Sequence, residues 1–257
     1  MNPTPGQLQP AAPAPAAITT SKQPVEMVVE RVVMELPDTK TIRLIWPQDY
    51  NPQFLTGQFI TVSWPDTPKY RRAYSLSSCA LDRGHFEITV KREGRMGTRM
   101  VDWAKEGDLL QVIRPAGKFL PVYDADKHLI CIAGGSGVTP FRGFAREATS
   151  RGLSTRLTVL YSVRTTKDII FHDEFREMEK RNPNLKFAVT CTRLEVDDPW
   201  EGRRGRLDVA WIREQVTDIG NAVFYACGPT PLVEFAEDLV VNHMAVPRAQ
   251  LRTEIWG

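Results

Sequence analysis

Hydrophobic positions in the first half of the chain come in short runs rich in β-branched and aromatic residues. They are VEMVVERVVMEL from residue 25, then TIRLIW, GQFITVSW, RRAYSLSS, HFEITVKR and DLLQVI. Runs of this length and composition predict strands. Turn chemistry separates them, at Pro37-Asp38, Asn51-Pro52, Pro65-Asp66, Asp82-Arg83-Gly84 and Glu106-Gly107-Asp108. Six strands at this spacing predict a small antiparallel β-barrel, interrupted by one helical stretch around Gly97 to Lys105.

From about residue 126 the grammar changes. HLICIA reads as an apolar strand, followed by GGSGVTP and an amphipathic helix with Phe141, Phe144, Ala145 and Ala148 on one face. RLTVLYSV predicts a second strand and DIIFHDEFREMEK a second helix, while LKFAVTC, AVFYA and LRTEI predict further strands. PLVEFAEDLVVNHM, apolar at 232, 235, 236, 239 and 240, predicts another helix, with Thr230 as its cap and Pro231 in its first turn. Strands alternating with helices argue for a parallel, doubly wound sheet that binds ligands beyond the carboxyl ends of its strands. The expected fold class is therefore β plus α/β: a six-stranded antiparallel barrel over residues 25–124, then a doubly wound parallel-sheet domain over 125–257. Residues 1–24 are rich in Pro and Ala, with prolines at 3, 5, 10, 13, 15 and 24, and predict an extended, disordered tail. They lack the basic start and apolar core of a secretory signal.

Composition narrows the function classes. A net charge of +2 over 257 residues gives no support to nucleic-acid or membrane-surface binding, and no apolar stretch is long enough to span a bilayer. The four cysteines, at 79, 131, 191 and 227, have no metal-ligand spacing. No C-x4-C-x2-C run for a two-iron cluster is present. The expectation is reduced, buried thiols in a cytoplasmic protein.

Three motifs carry chemistry. Gly134 to Gly137 (GGSG) lie between a strand and a helix, where glycines admit a phosphate and the helix N-terminus offers free N–H groups; a tight structural turn is the alternative. YACGPT places Cys227 at the carboxyl end of a strand, as a site residue or a buried structural thiol. RRAYS puts Arg72 and Tyr74 on one face of a barrel strand, which alone is an ordinary surface strand. The chain then closes on RTEIWG, where Glu254 and Trp256 are either packing at a last strand or part of an active site.

In this order the four segments resemble the ferredoxin–NADP reductase family, over residues 25 to 257. The resemblance implies an FAD-binding barrel and an NAD(P)H-binding domain. Arg72 would bind the FAD pyrophosphate, Ala73 and Tyr74 would lie along the flavin, and Ser75 would hydrogen-bond near flavin N5. VKREGRMGTRM would supply a second flavin element, with Val90 and Lys91 beside the cofactor and Gly97 and Thr98 at a helix N-terminus against phosphate. Gly134, Gly135, Ser136, Gly137 and Thr139 would cradle the NAD(P)H pyrophosphate, and Cys227, Gly228 and Pro229 would border the nicotinamide. Ser75, Cys227 and Glu254 would surround the reacting centre, and Trp256 would stack on the flavin until nicotinamide displaces it, although Gly257 follows it here.

FAD is expected rather than FMN. Arg164 and Arg193, after two strands, favour NADPH over NADH by meeting a 2′-phosphate, with Arg203, Arg204 and Arg206 nearby; as solvated loop residues they would permit NADH. The implied activity is hydride transfer from NAD(P)H to FAD and single-electron delivery to a separate ferredoxin, flavodoxin or oxygenase component. Lys69, Arg71, Arg92, Arg95 and Arg99 would form a landing surface for an acidic carrier. A flavin or quinone reductase without a protein acceptor, or a non-autonomous electron-transfer subunit, are the alternative classes.

Overall fold

The computed structural model describes residues 23–124, 126–216 and 218–256. The expected tail, 1–24, lies almost wholly outside the described residues, as does Gly257.

Six strands build the first body: β1 (Val25–Leu36), β2 (Thr39–Ile45), β3 (Phe59–Ser63), β4 (Arg72–Ser75), β5 (His85–Lys91) and β6 (Leu109–Ala116). They run antiparallel in the order β4-β3-β6-β1-β2-β5. A bridge between Leu76 and Ile88 joins the two edge strands and closes the barrel. Closure removes the free strand edges. Register puts Ile42 opposite Ile88 and Leu44 opposite Phe86, and these side chains are wholly buried in one core. Helix α1 (Gly94–Trp103) plugs that core with Met96, Met100 and Val101. Strand β1 pairs with β6 only over its first residues and with β2 over the rest. Its far end carries Leu36 onto the core of the second body.

The second body is a parallel sheet of β7 (His128–Gly134), β8 (Arg156–Val163), β9 (Leu185–Cys191), β10 (Arg203–Arg204), β11 (Ala222–Pro229) and β12 (Leu251–Trp256). Its order is β10-β9-β8-β7-β11-β12. All seven residues of β7 are buried, as a central strand covered on both faces requires. Helices α2 (Thr139–Ser150) and α3 (His172–Arg181) cover one face through Phe141, Phe144 and Phe175. Helices α4 (Val209–Gln215) and α5 (Thr230–Glu237) cover the other through Trp211, Ile212 and Val233. The chain winds outward from β7 to β10, then returns to β11 on the other side of β7. The switch point therefore falls between β7 and β11, where such sheets bind ligands.

Several local expectations are corrected. The barrel-domain helix starts at Gly94 rather than near Gly97, so Gly97 and Thr98 sit one turn inside it. Arg203 and Arg204, for which no element was expected, add a short parallel strand to the edge of the sheet. Helix α3 begins only at His172, because Phe171 takes a left-handed φ of 61°. Thr230 is the first helical residue and caps nothing with its side chain. After Glu237 that helix continues as a π-helical turn from Asp238 to His243. Helix α4 had no counterpart in the expected elements. Its N-cap, Asp208, accepts a hydrogen bond of 2.8 Å from the Trp211 amide. Among the described residues no helix is long and apolar enough to cross a membrane.

Candidate active site

A cleft of about 470 Å³ opens between the barrel and the parallel sheet. Pockets of this order hold cofactor-sized ligands. One wall is Arg72, Ala73, Tyr74 and Ser75 of β4 with Thr89 and Lys91 of β5; the floor is the start of α1, from Glu93 to Gly97. The opposite wall is Ser136 and Thr139, ahead of and at the start of α2, with Glu254, Ile255 and Trp256 of β12.

The two walls touch at one polar contact: the Ser75 hydroxyl donates to Glu254 Oε1 at 2.5 Å. Glu254 is positioned by the sheet, since β12 places it opposite Cys227 of β11, which in turn lies opposite Ala133 of β7. Burial pushes the Glu254 carboxyl above its ordinary range, and the Ser75 bond works against that shift. Burial first, and then Glu254, push the fully buried Cys227 thiol well up, with the Trp256 indole opposing. Cys227 is thus a neutral thiol under the carboxylate, unlike an activated nucleophilic cysteine. Burial likewise raises the Tyr74 phenol, with Arg72 opposing, so the ring presents a neutral face to the cleft.

The floor has the chemistry that can receive an anion. No side chain caps α1 at Glu93, which leaves the first amides of the helix without side-chain partners. Gly97 is required by packing: a Cβ there would stand 2.3 Å from the Lys91 carbonyl oxygen of β5. Arg72 bonds only the carbonyl of its neighbour Arg71, at 2.9 Å, and has no carboxylate partner among the described residues. A cationic side chain, a helix start, a half-buried phenol and a half-buried indole together fit a flavin nucleotide.

The glycine turn has open backbone above it and a tight seat below it. Gly135 has a φ of +54° and open space around its Cβ direction, whereas a Cβ on Gly137 would stand 2.1 Å from the Cys227 carbonyl oxygen. One glycine leaves room above the turn and the other lets it lie on β11. Tyr161 of β8 steadies the turn by donating to the Gly135 carbonyl at 2.8 Å. Thr139 donates to Ser136 O at 2.6 Å.

Of the expected residues, the cleft brings together Arg72, Ala73, Tyr74, Ser75, Lys91, Gly97, Ser136, Thr139, Glu254 and Trp256. Val90 points instead into the barrel core, and Thr98 is exposed on α1. Gly134, Gly135 and Gly137 shape the turn, while Cys227, Gly228 and Pro229 end β11 beneath Glu254 and Trp256. Arg164 and Arg193 follow adjacent strands, tied by a backbone bond of 2.8 Å from Arg193 N to Arg164 O, and both are exposed. Arg203 pairs with Asp208, and Arg204 donates to the carbonyls of Glu195 and Asp198. Those two are committed to the fold. Sequence reasoning missed Glu93, Gly94, Arg95 and Met96 as lining residues because it started α1 too late, and Thr89 of β5 because no motif marks it.

The expected basic landing surface is partly neutralised. Arg92 pairs with Asp102 and Arg99 with Asp66, each at 2.7 Å, and Arg95 lies 4.1 Å over the Tyr70 ring. No group of three His, Cys, Asp or Glu side chains suited to a metal occurs among the described residues.

A closed antiparallel barrel and a doubly wound sheet sharing such a cleft define a two-domain oxidoreductase of flavin and pyridine nucleotide. The chain belongs to the ferredoxin reductase-like family of these proteins. Residues 26–120 match the oxidoreductase FAD-binding domain and residues 131–238 the oxidoreductase NAD-binding domain. It is 31% identical over 217 residues to a glycine betaine monooxygenase reductase subunit of Pseudomonas aeruginosa, covering 83% of this chain and 59% of that one. The chain thus spans well under two thirds of that relative's length. Its fold matches the flavohem-like FAD/NAD-binding domain of nitric oxide dioxygenase from Vibrio cholerae with a TM-score of 0.79 and 24% identity, over 91% of this chain and 99% of that one. It also matches phthalate dioxygenase reductase, a modular structure for electron transfer from pyridine nucleotides to [2Fe-2S], with a TM-score of 0.72 and 25% identity over 91% and 68%.

Proposed function

We propose that this chain is an NAD(P)H-dependent flavoprotein reductase that takes hydride on FAD and passes electrons singly to a carrier protein or oxygenase component. The observation that carries this reading is the Ser75–Glu254 hydrogen bond across a cleft with an anion-receptive helix start on one wall and a glycine turn beside the other. The chemistry FAD supplies when bound is acceptance of two electrons and their release one at a time. The chain's own residues hold and align the reactants. Arg72, Lys91 and the first turn of α1 bind the flavin phosphates. Tyr74 and Trp256 cover the flat ring system and keep water from it. Ser75 and Glu254 hold a proton and a polar contact where hydride arrives.

On this reading residues 25–124 hold the flavin and 125–257 the pyridine nucleotide. The turn from Gly134 to Gly137, with Thr139, holds the nucleotide pyrophosphate, and Cys227, Gly228 and Pro229 bound the nicotinamide. Arg164 and Arg193 favour NADPH, because both are exposed at adjacent strand ends and neither has a carboxylate partner among the described residues. Similarity to an oxygenase reductase subunit favours an oxygenase component or ferredoxin as acceptor. Four free, buried cysteines suit a reducing compartment such as the cytoplasm. The test is anaerobic stopped-flow reduction by NADPH and NADH in parallel, with chromatography of the released flavin. FAD, bleached faster by NADPH, is the expected result; a protein bleached by neither nucleotide overturns the proposal.

A further inference from the structure

The barrel and the parallel sheet are joined by a buried cluster of charges that the proposed reaction does not itself use. Glu87, in the middle of β5, is 4% exposed. Its Oε1 accepts from Arg43 of β2, at 3.0 Å from Nε and 2.8 Å from Nη2. Its Oε2 accepts from two arginines of the other body, Arg142 Nη1 at 2.9 Å and Arg146 Nη1 at 2.8 Å. These arginines lie one turn apart on α2. Each then turns its Nε to the same carboxylate, Glu174 of α3, at 2.7 and 2.5 Å. Arg142 also lies 4.4 Å over the Phe171 ring. Asp82, 4.0 Å from Arg146, adds a weaker contact from the barrel side.

A buried ion cluster is a poor way to gain stability, because desolvation cancels much of the attraction. What it supplies is direction: a guanidinium fork satisfies two carboxylates in one relative placement only. The surrounding packing is equally restrictive. A Cβ on Gly143 of α2 would stand 2.9 Å from the Ser78 carbonyl oxygen of the barrel. The backbone of Glu87 is bonded to the same segment, from Ser77 N to Glu87 O at 2.8 Å and from Glu87 N to Ser78 Oγ at 3.0 Å. Ser75 is two residues from that attachment. Across the interface, Arg142 is three residues from Thr139, which lines the cleft and holds the glycine turn through Ser136.

We propose that Glu87, Arg142 and Arg146 form a latch that fixes α2 and its glycine turn relative to the Ser75–Glu254 pair, and so act as positioning residues for hydride transfer. The inference rests on the reductase reading above. Hydride transfer needs two flat rings at near-contact distance, so a displacement of about 1 Å can cost on the order of a hundredfold in rate.

The test compares the wild-type holoprotein with Glu87→Gln and with Arg146→Met, a milder variant that leaves Glu87 paired to Arg43 and Arg142. Because all four native cysteines are buried, spin labels at Lys105→Cys and Lys180→Cys report the distance between the two bodies. Stopped-flow reduction at saturating NADPH reports hydride transfer in the same proteins. The expected result is a broadened distance distribution together with a reduction rate lower by about ten- to a hundredfold, at unchanged flavin content. A narrow, wild-type distribution in both variants, or a broadened one with an unchanged rate, overturns the proposal. If even the wild type is not reduced by either nucleotide, the reductase reading fails and the positioning role falls with it; the distance arm still reports separately whether the latch holds the two bodies.

Discussion

Ser75 and Glu254 are 179 positions apart in the chain, yet the hydroxyl of one lies 2.5 Å from the carboxylate of the other. The bond joins the last residue of β4 to the last strand of the parallel sheet, so it forms only when both bodies are folded and docked. It also sets the electrostatics of the cleft. Burial favours the protonated form of Glu254, and the Ser75 hydroxyl favours the carboxylate.

Replacing Ser75 with Ala should therefore move the Glu254 midpoint to still higher pH, because the only opposing cause is removed. A hydrogen bond to a charged group is worth about 1.5–3 kcal/mol. The rate of flavin reduction should fall by about 10- to 150-fold if that bond is needed in the transition state. Infrared titration of the carboxyl stretch, with Glu254→Gln as the blank, gives the midpoint, and stopped-flow gives the rate. A midpoint unchanged or lowered would show that the hydroxyl does not stabilise the carboxylate.

Trp256 lines the cleft while resting on the core of the parallel sheet beside Cys227, and it pairs in register with Pro229. If its ring covers the place that nicotinamide must take, Trp256→Ala should tighten nucleotide binding. Aromatic stacking contributes about 0.5–1.5 kcal/mol beyond area burial, which corresponds to roughly two- to tenfold in affinity. Turnover should suffer in the same variant, because product nucleotide then leaves slowly. Equilibrium titration with NADP+ checks the first point. Unchanged affinity with only a lower melting temperature would make Trp256 simple packing.

The barrel was legible because β-branched and aromatic runs separated by turn residues are what a closed antiparallel sheet demands. The wound sheet was legible because buried strands such as HLICIA must be followed by covering helices. The start of α1 was not, because Gly94 and Gly97 are both poor helix formers and no capping side chain stands at Glu93. Asp208 did signal α4, but seven residues give too little periodicity to recognise. Glu87 was hidden for a different reason. In HFEITVKR it sits where an outward, solvated residue belongs, and only the second body covers that face. The contact between Ser75 and Glu254 came from family resemblance, since no local pattern links residues so far apart.

Acid should weaken the fold through Glu87. Burial alone would raise its carboxyl, but Arg142, Arg146 and Arg43 outweigh burial and hold it at about 2, against an ordinary 4.5. A folded-state value below the unfolded one stabilises the protein above the unfolded value, and that contribution disappears as pH falls through the folded value. The window is therefore about pH 4.5 down to about 2, with about 3 kcal/mol at stake. Chemical denaturation at a series of pH values should show this loss in wild type. In Glu87→Gln the stability should already be lower at pH 7 and the slope in the acid window shallower. Parallel slopes in the two proteins would assign the acid sensitivity to other carboxylates.

The choice of nucleotide should rest on Arg164 and Arg193, because Arg203 and Arg204 are already engaged. Arg203 is held by Asp208 and Arg204 by two backbone carbonyls, so neither can swing to a phosphate without breaking local structure. Arg164 follows β8, the second strand of the wound sheet, whose end is where such sheets meet the adenosine ribose, and Arg193 is tied beside it by its backbone. Substituting both with Ala should lower kcat/KM for NADPH by about 10- to 100-fold, one or two charge-assisted bonds' worth. NADH, which has no 2′-phosphate for them to meet, should be used within about twofold of wild type. Substituting Arg203 should instead lower stability and treat the two nucleotides alike. An equal loss with both nucleotides in the double variant would remove these arginines from specificity and leave them as ordinary solvated residues at the strand ends.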